Sequence, residues 1–368
     1  MKARPLTLRA WHYSAAVIMF VAAGLIPSGR GVGQARQYVV TELSPGVPCK
    51  LNNLGDIAGR TGDEFEGKLR AAVWNRSNFK SKHLGALLSS DYSSASSVND
   101  VGEVVGVSNT GSAIVPILWT GKGGVSRIPL LPGDVCGQAT AINKSGHIVG
   151  YSSGASGIKA FLWARNIGLR KLGVLPGGMS STARGVNDSD EVVGTSGSSN
   201  GGRAVLWTKA GDVLDLGTLP GDSASEAVAI NNSGDVVGFS KGPGGLRAFI
   251  WSRAGGMQEL GILPGGDSST AADINDSGEV VGSSTSAEGE HAFIWTKQGG
   301  IADLNSTVSA ALGFVFIEAH AINARGQILA MGRSASDSVM SSGTSSEHNQ
   351  VCAPAPPASF LLTPVSKP

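Results

Sequence analysis

One eight-residue pattern recurs seven times along this chain at nearly constant spacing. Its clearest copy is Asn275-Asp-Ser-Gly-Glu-Val-Val-Gly282, an asparagine followed by a polar turn and an apolar run. The steps between the equivalent asparagines are 47, 44, 44, 44, 44 and 48 residues. Such a period is typical of repeat folds, because each unit must bury its apolar face against its neighbours. The asparagines are Asn52, Asn99, Asn143, Asn187, Asn231, Asn275 and Asn323.

Each copy of the pattern predicts a β-hairpin. The asparagine side chain can cap the backbone two residues later in a type I turn, and glycine at the fourth position adopts a positive φ. In the fourth copy Asp190 replaces that glycine, and aspartate tolerates the left-handed region better than most residues. We therefore interpret the seven asparagines as structural turn residues.

A second signal follows each asparagine after about twenty residues, an apolar strand that ends in tryptophan in six copies. A fourth strand comes next, and several copies then continue into Leu-Pro-Gly, as at Leu219-Pro-Gly221. Four short strands in a unit of about 44 residues match one blade of a β-propeller. We interpret the tryptophans as core residues between blades, in preference to stacking platforms for sugars or bases. They are Trp74, Trp119, Trp163, Trp207, Trp251 and Trp295.

The two ends of the chain indicate a closed ring. Tyr38-Val-Val-Thr-Glu-Leu43 resembles a fourth strand but precedes the first hairpin, whereas Phe360-Leu-Leu362 is the third strand of a last unit that has no fourth. Joining them removes two open sheet edges. We therefore predict an all-β fold, a seven-bladed β-propeller of four-stranded units, in which an N-terminal strand joins the last blade and closes the ring.

The flanks of the repeats predict export and a single folded domain. Residues 1–35 combine a basic start, an uncharged apolar run at 14–26 and a small-residue site, Gly33-Gln34-Ala35. These features predict a secretory signal peptide, with an uncleaved anchor as the alternative. Residues 36–364 form one propeller domain with a disordered insertion at about 335–357, and 365–368 are a tail. We expect a secreted or periplasmic protein.

Charge argues against one class of partner. Without residues 1–35, 25 basic and 28 acidic residues remain, a formal charge of −3. Nucleic-acid binding requires a basic face, so we expect no nucleic-acid partner. We expect a monomer without a membrane span after export, whose partner is an unidentified extracellular protein or glycan.

No catalytic or metal site stands out from the repeat. The loop from Asp273 to Glu279 has oxygen donors at alternate positions, but valines follow where calcium loops place a late bidentate acid. The histidines show no metal spacing, and serine runs such as residues 93–97 have no nucleophile-elbow glycines. We therefore predict no metal, cofactor or catalytic residue, although a triad built from distant blades stays open.

The copies differ most visibly after the Leu-Pro-Gly loops. Three acids there, Asp134, Asp222 and Asp267, are the candidate ligand contacts on that face. Propellers often bind ligands at a central mouth, an analogy at the level of the fold. The function that follows is a binding or surface-interaction scaffold. The alternative is an extracellular lyase or hydrolase that acts on polysaccharide or another polymer.

Three cysteines in an exported chain leave at least one unpaired. Cys49 and Cys136 lie in loops that lead into first strands, and Cys352 lies in the insertion of the last unit. All three should lie on one face of a propeller. Because the last blade adjoins the first, Cys49 and Cys352 are the expected disulfide pair.

The motifs resemble the HAF-repeat family, described as extracellular repeat proteins. The His-Ala-Phe that names the family is present as His291-Ala292-Phe293, and Lys159-Ala-Phe161 and Arg247-Ala-Phe249 are variants of it. The Ala-Ile-Asn-x-Ser-Gly, Leu-Pro-Gly and closing Phe-Leu-Leu-Thr-Pro segments are also similar, over about residues 38–364. The resemblance implies an exported bacterial protein and supplies no catalytic or ligand residues.

Overall fold

Alternating apolar residues between glycine-rich turns give this chain short antiparallel strands throughout. The computed structural model describes residues 36–43, 45–63, 68–87, 92–121, 123–308, 312–335 and 357–365. Within these ranges the chain forms seven four-stranded antiparallel sheets and no α-helix; Leu304–Thr307 is a short 3-10 helix. The fold is the expected seven-bladed β-propeller.

Each blade has an innermost strand that leads into an asparagine turn and then into the second strand. The innermost strands are β2 (Val47–Leu51), β6 (Ser93–Val98), β10 (Asp134–Ile142), β14 (Ser181–Val186), β18 (Ala224–Ile230), β22 (Ser269–Ile274) and β26 (Phe314–Ile322). The second strands are β3 (Ile57–Asp63), β7 (Val104–Asn109), β11 (Ile148–Gly154), β15 (Val192–Ser198), β19 (Val236–Gly242), β23 (Val280–Ser286) and β27 (Ile328–Ser334).

The third and outermost strands complete the blades, which we number 1 to 7 in the order of their innermost strands. The third strands are β4 (Lys68–Trp74), β8 (Ile114–Trp119), β12 (Gly157–Ala164), β16 (Gly201–Trp207), β20 (Gly245–Ser252), β24 (Gly289–Thr296) and β28 (Ala358–Pro364). The outermost strands are β5 (Ser81–His83), β9 (Val125–Arg127), β13 (Gly168–Lys171), β17 (Val213–Asp215), β21 (Gly256–Glu259), β25 (Gly300–Asp303) and, in blade 7, β1 (Tyr38–Glu42).

The N-terminal strand closes the ring as the sequence predicts. Strand β1 pairs antiparallel with β28, from Tyr38 opposite Pro364 to Glu42 opposite Phe360. Tyr38 and Leu43 are both buried, the first in the apolar cluster between blades 6 and 7 and the second in the cluster between blades 7 and 1. The first segment of the chain therefore belongs to two blade interfaces as well as to the last sheet.

The apolar core consists of one cluster at each of the seven blade interfaces. Trp207 of blade 4, for example, packs against Leu162 and Leu172 of blade 3, and its Nε1 donates to the carbonyl of Gly173 at 2.9 Å. Trp74, Trp119, Trp207 and Trp251 are buried, whereas Trp163 and Trp295 are half-buried. In blade 7 the buried Leu362 takes the tryptophan position, opposite Ile328.

The asparagine side chains join into a closed ring of hydrogen bonds. Each Nδ2 donates to the backbone carbonyl of the asparagine in the next blade, and Asn323 returns to Asn52, with seven distances of 3.0–3.2 Å. Each Oδ1 also accepts the backbone N–H four residues later in its own turn. One residue type therefore shapes every hairpin and links it to the neighbouring blade.

We expect Asn231→Ala to lower the free energy of unfolding by about 2–3 kcal/mol, because it leaves buried backbone groups without partners. Asn231 is 4% exposed, accepts from the N–H groups of Ser233 and Asp235, and donates to Asn275. Denaturant unfolding measures the change. Asn200→Ala, at an exposed hairpin position, is the control and should change stability by less than about 0.5 kcal/mol. Equal effects of the two substitutions would contradict the role of the ring.

Several sequence predictions lie outside the described residues. They are the signal peptide at 1–35, Cys352 and most of the insertion at about 335–357. The placement of Cys49 and Cys136 in loops was wrong, because they lie within strands β2 and β10. Both have free thiols in the structure, and burial raises the pKa of the Cys49 thiol. The Cys49–Cys352 disulfide stays a prediction. Among the described residues there is no helix whose length and apolar character would let it cross a bilayer.

Candidate functional site

A cavity of about 460 Å³ lies on the axis of the propeller, where the innermost strands run into the asparagine turns. All seven blades line it, mainly with the residues from three before to one after each asparagine. Its volume lies within the range of pockets that hold small molecules. The axial cavity is therefore the candidate functional site.

A β-bulge in each innermost strand sets the chemistry of the cavity wall. The register shifts by one residue three positions before every asparagine, and the extra residue lines the cavity in all seven blades. Bulges of this kind redirect side chains out of the regular ladder. No residue type occurs twice at these positions. In blade order they are Cys49, Ser96, Thr140, Arg184, Val228, Ala272 and His320.

One ion pair crosses the blade that the N-terminal strand completes. Nζ of Lys50 in blade 1 lies 2.5 Å from Oδ1 of Asp273 in blade 6, and the equivalent residue of blade 7 between them is Ala321. Oδ2 of Asp273 accepts the backbone N–H of Ile322 in blade 7 at 2.9 Å. The Asp273 side chain is only 5% exposed. This pair therefore links blades 6, 7 and 1 at the place where the ring closes.

In the loop after Asp273, the side-chain oxygens of Asn275 and Glu279 accept hydrogen bonds within the turn itself. Asn275 Oδ1 accepts the N–H groups of Ser277 and Glu279, and Glu279 Oε2 accepts from Asn275 Nδ2. No group of three or more His, Cys, Asp or Glu residues in the described part of the chain is placed to hold a metal ion. The contacts of this loop are those of a capped hairpin.

Three aspartates stand at the mouth of the cavity, each one residue after a ring asparagine. Each Oδ1 atom accepts a backbone N–H from the preceding blade. Asn53 donates to Asp100, Lys144 donates to Asp188 and Asn232 donates to Asp276. Their Oδ2 atoms accept from the side-chain amides of Asn53 or Asn232 at 3.0–3.4 Å. The acids of the mouth therefore serve to join neighbouring blades.

Two basic side chains at bulge positions of the cavity wall make fewer contacts with the propeller. Arg184 is 52% exposed, and its nearest carboxylate, Glu226, lies 3.6 Å away. Nδ1 of His320 lies 3.3 Å from Glu318, while its buried Nε2 has no partner among the described residues. The hydrogen bond from His320 lowers the pKa of the Glu318 carboxyl despite the burial of that group. Arg184 can still donate to a bound molecule, and Nε2 of a neutral His320 can accept from one.

The three acids that the sequence suggested as ligand contacts lie away from this cavity and have partners of their own. Asp134 accepts from the Ser152 hydroxyl at 2.5 Å, and the exposed Asp267 accepts from Thr285 Oγ1 at 3.0 Å. The Asp222 side chain is only 4% exposed and pairs with Arg247 at 2.8 Å. Burial alone would raise the pKa of Asp222, but hydrogen bonds from Arg247 and Ser240 outweigh it and lower that pKa. Ligand binding by these acids stays a prediction.

Sequence reasoning did not single out Lys50, Arg184 or His320. The repeat itself contained a usable signal, because the position three residues before each asparagine has a different residue type in every copy. That column borders the most regular part of the motif, whereas the candidate contacts predicted from the sequence lie beside the Leu-Pro-Gly loops. Lys50 and Asp273 share the next column, which is otherwise filled by small residues.

In the fourth repeat, Asp190 replaces the turn glycine and makes contacts that a glycine could not make. Its backbone has φ 66°, and its carboxylate lies 2.5 Å from His147 Nδ1 of the preceding blade and 2.8 Å from Lys209 Nζ. Burial alone would raise the pKa of Asp190, but hydrogen bonds from Lys209 and His147 outweigh it and lower that pKa. The aspartate therefore combines a turn position with a hydrogen bond to His147 of the preceding blade and an ion pair with Lys209 of its own blade.

We expect Asp190→Asn to cost about 1–2 kcal/mol of stability at neutral pH, with a smaller difference from the native chain in acid. A carboxyl whose pKa is lowered by folding contributes stability above its unfolded pKa, about 3.9 for aspartate. That contribution is lost as the pH falls through the folded value. Denaturant unfolding of both chains between about pH 6 and pH 3 measures it. The exposed Asp212→Asn is the control, and a difference that does not change with pH would contradict the assignment.

Comparison with known proteins supports the fold. No protein-family model and no curated protein match the sequence. Among solved structures, the chain is similar to virginiamycin B lyase from Staphylococcus aureus (13% identity, TM-score 0.54, covering 89% of this chain and 99% of that one). It is also similar to the β-propeller domain of the Trilobed protease from Pyrococcus furiosus (10% identity, TM-score 0.51, covering 83% of this chain and 92% of that one). TolB from Acinetobacter baumannii is 16% identical with a TM-score of 0.49, over 68% of this chain and 63% of TolB.

At these identities the similarity shows a β-propeller and carries over no activity. The chain spans less than two thirds of the length of TolB. A lyase and a domain of a protease are both among the similar structures, so the shared fold is compatible with different functions.

Proposed function

We propose that this chain is an exported binding protein, a surface-interaction scaffold that holds its ligand in the axial cavity. One observation carries the proposal. The copies agree at the asparagines and at nearly all the glycines that build the ring, yet all seven bulge residues that line the cavity differ. Repeats that need only pack have no reason to diversify one inward-facing column, whereas a ligand site needs a specific set of side chains.

The place of action fits this proposal. The basic and apolar segment at residues 1–35 has the composition of a secretory signal. The described residues form a closed ring in which β1 covers the edge of β28, and this suits a protein that must remain monomeric outside the cytoplasm. The resemblance to HAF-repeat proteins agrees with an exported bacterial protein. The partner is an extracellular or periplasmic molecule, a glycan or a protein.

A lyase or hydrolase is the second candidate, favoured by one pair of residues. Glu318 and His320 lie 3.3 Å apart on β26, and His320 Nε2 has no partner among the described residues. A histidine oriented by a carboxylate can act as a general acid or base. Turnover of a polysaccharide that disappears in His320→Gln while ligand binding persists would select this function over simple binding.

The experiment that tests binding uses the chain purified after export from a bacterial host. A glycan array and immobilised exported proteins provide the ligands, and saturable binding is the expected result. Arg184→Gln should weaken that binding by about tenfold or more, because it removes a charged donor from the cavity. Binding that no substitution among the bulge residues changes would contradict the axial site.

A further inference from the structure

The charged residues of the axial cavity divide into two chemically unequal sets. Four acids and four bases line it: Asp100, Asp188, Asp273 and Asp276, and Lys50, Lys144, Arg184 and His320. Every one of these acids has both carboxylate oxygens in a hydrogen bond or ion pair with the propeller itself. The acids are therefore already used in holding the ring together.

Three of the bases have hydrogen-bonding groups that the propeller does not use. Arg184 makes no hydrogen bond within the described residues and has one long ion pair, 3.6 Å from Glu226, so most of its guanidinium donors are unused. Lys50 uses one ammonium N–H for Asp273 and is 33% exposed. His320 Nε2 is buried without a partner in the described part of the chain. With Nδ1 donating to Glu318, Nε2 of a neutral imidazole is an acceptor. A buried polar atom without a partner is costly, and a ligand hydroxyl that donates to it removes that cost.

The topology places these three side chains on opposite walls. Arg184 belongs to blade 4, which lies across a seven-membered ring from blades 7 and 1, the blades of His320 and Lys50. The walls between them also differ. Blades 2 and 3 supply the hydroxyls of Ser96 and Thr140, and blades 5 and 6 supply the aliphatic Val228 and Ala272. The acidic mouth residues lie one position beyond the asparagines, at the outer end of the cavity.

We infer that the axial cavity binds a sugar acid, with the ligand carboxylate on Arg184 and ligand hydroxyls on Lys50 and His320. A planar carboxylate matches the guanidinium fork and accepts two parallel hydrogen bonds. A pyranose ring has polar edges and an apolar C–H face, which suit a hydroxyl wall and an aliphatic wall on opposite sides. The inference rests on the proposed binding function and specifies the ligand class of the same site.

Titration calorimetry of the full exported chain tests this inference with D-galacturonate and its dimer. D-galactose, which has the same hydroxyls and no carboxylate, and inorganic phosphate are the comparison ligands. We expect the uronate to bind and galactose to bind at least about tenfold more weakly, because a charge-assisted pair is lost. Phosphate that binds as tightly as the uronate, or galactose that does so, would overturn the assignment of a sugar acid.

Matched arginine variants locate the site. Arg184→Gln should weaken uronate binding by about tenfold or more, whereas Arg127→Gln, which removes an exposed arginine from β9 on the outside of blade 2, should leave it unchanged. Arg184 makes no hydrogen bond within the described residues, so its loss should leave folding intact, and denaturant unfolding checks this. Equal affinities of the two variants would overturn the inference.

The two proposals can fail separately. If no uronate binds at millimolar concentration but a glycan-array ligand binds and is lost in Arg184→Gln, the ligand class is wrong and the axial binding function stands. If a uronate binds but Arg184→Gln changes nothing, both the position of the carboxylate and the axial site are wrong.

Discussion

Gly238→Ala is expected to destabilise the chain by about 3 kcal/mol or more, although it adds a single methyl group. A Cβ at Gly238 would lie 1.9 Å from the carbonyl oxygen of Glu226 and 3.1 Å from the Cα of Ala227. Both atoms belong to the backbone of the bulged strand β18, which the asparagine ring and the bulge hold in place. The added atom therefore cannot be accommodated by a side-chain rotation.

Denaturant unfolding measures this effect, and Gly244→Ala is the matched control. Gly244 has no atom within 4 Å of its added Cβ and no positive φ, so we expect a change below about 0.5 kcal/mol. Equal stabilities of the two variants would show that the bulged strand can move away. Blade 7 has Ala330 at the equivalent position, where a further register shift between Phe316 and Glu318 changes the backbone path before the corresponding carbonyl.

Deleting residues 36–43 is expected to abolish the stable monomer. The deletion removes the outermost strand of blade 7, exposes the edge of β28 and withdraws Tyr38 and Leu43 from two core clusters. Burial of two large side chains alone accounts for about 3–6 kcal/mol, a large share of the stability of a typical domain. An uncovered edge strand also promotes association.

Size-exclusion chromatography and thermal unfolding measure the effect of the deletion. We expect oligomers or aggregates and a large fall in Tm, with recovery of the monomer when a peptide of residues 36–43 is added. A peptide with the same residues in scrambled order should not rescue, because pairing with β28 buries Tyr38 and Leu43 at fixed positions. A truncated chain that remains monomeric with an unchanged Tm would show that ring closure by β1 contributes little to the stability of the propeller.

The fold was predictable from the repeat, because closure of the propeller requires an incomplete unit at each end of the repeats and the sequence contains both. A spare fourth strand at Tyr38 and a missing one after Phe360 were enough to predict how the ring closes, and the strand pairing confirms it. The link between asparagines was not predictable in the same way. A turn motif specifies hydrogen bonds over four residues, whereas the bond from Asn231 to Asn275 depends on how blades are arranged around the axis.

The cavity was harder still to predict, for a physical reason. A bulge changes the pairing register by one residue. The extra residue is as different as Arg184, Val228 and His320 in three of the blades, so no residue type indicates the position of a bulge in the sequence. Without the bulge, strand alternation alone does not assign these side chains to the axis. The ion pair of Lys50 and Asp273 likewise depends on ring closure, because it joins the first and sixth blades across the last.

The most direct test of where this propeller binds its ligand compares the affinities of two variants for the ligand that array screening identifies. Arg184→Gln changes the axial cavity, and Asp267→Asn changes the exposed Leu-Pro-Gly face. We expect Arg184→Gln to weaken binding by about tenfold or more and Asp267→Asn to keep it within about twofold. Loss of binding in Asp267→Asn, with native affinity in Arg184→Gln, would place the site on the loop face and contradict the axial one.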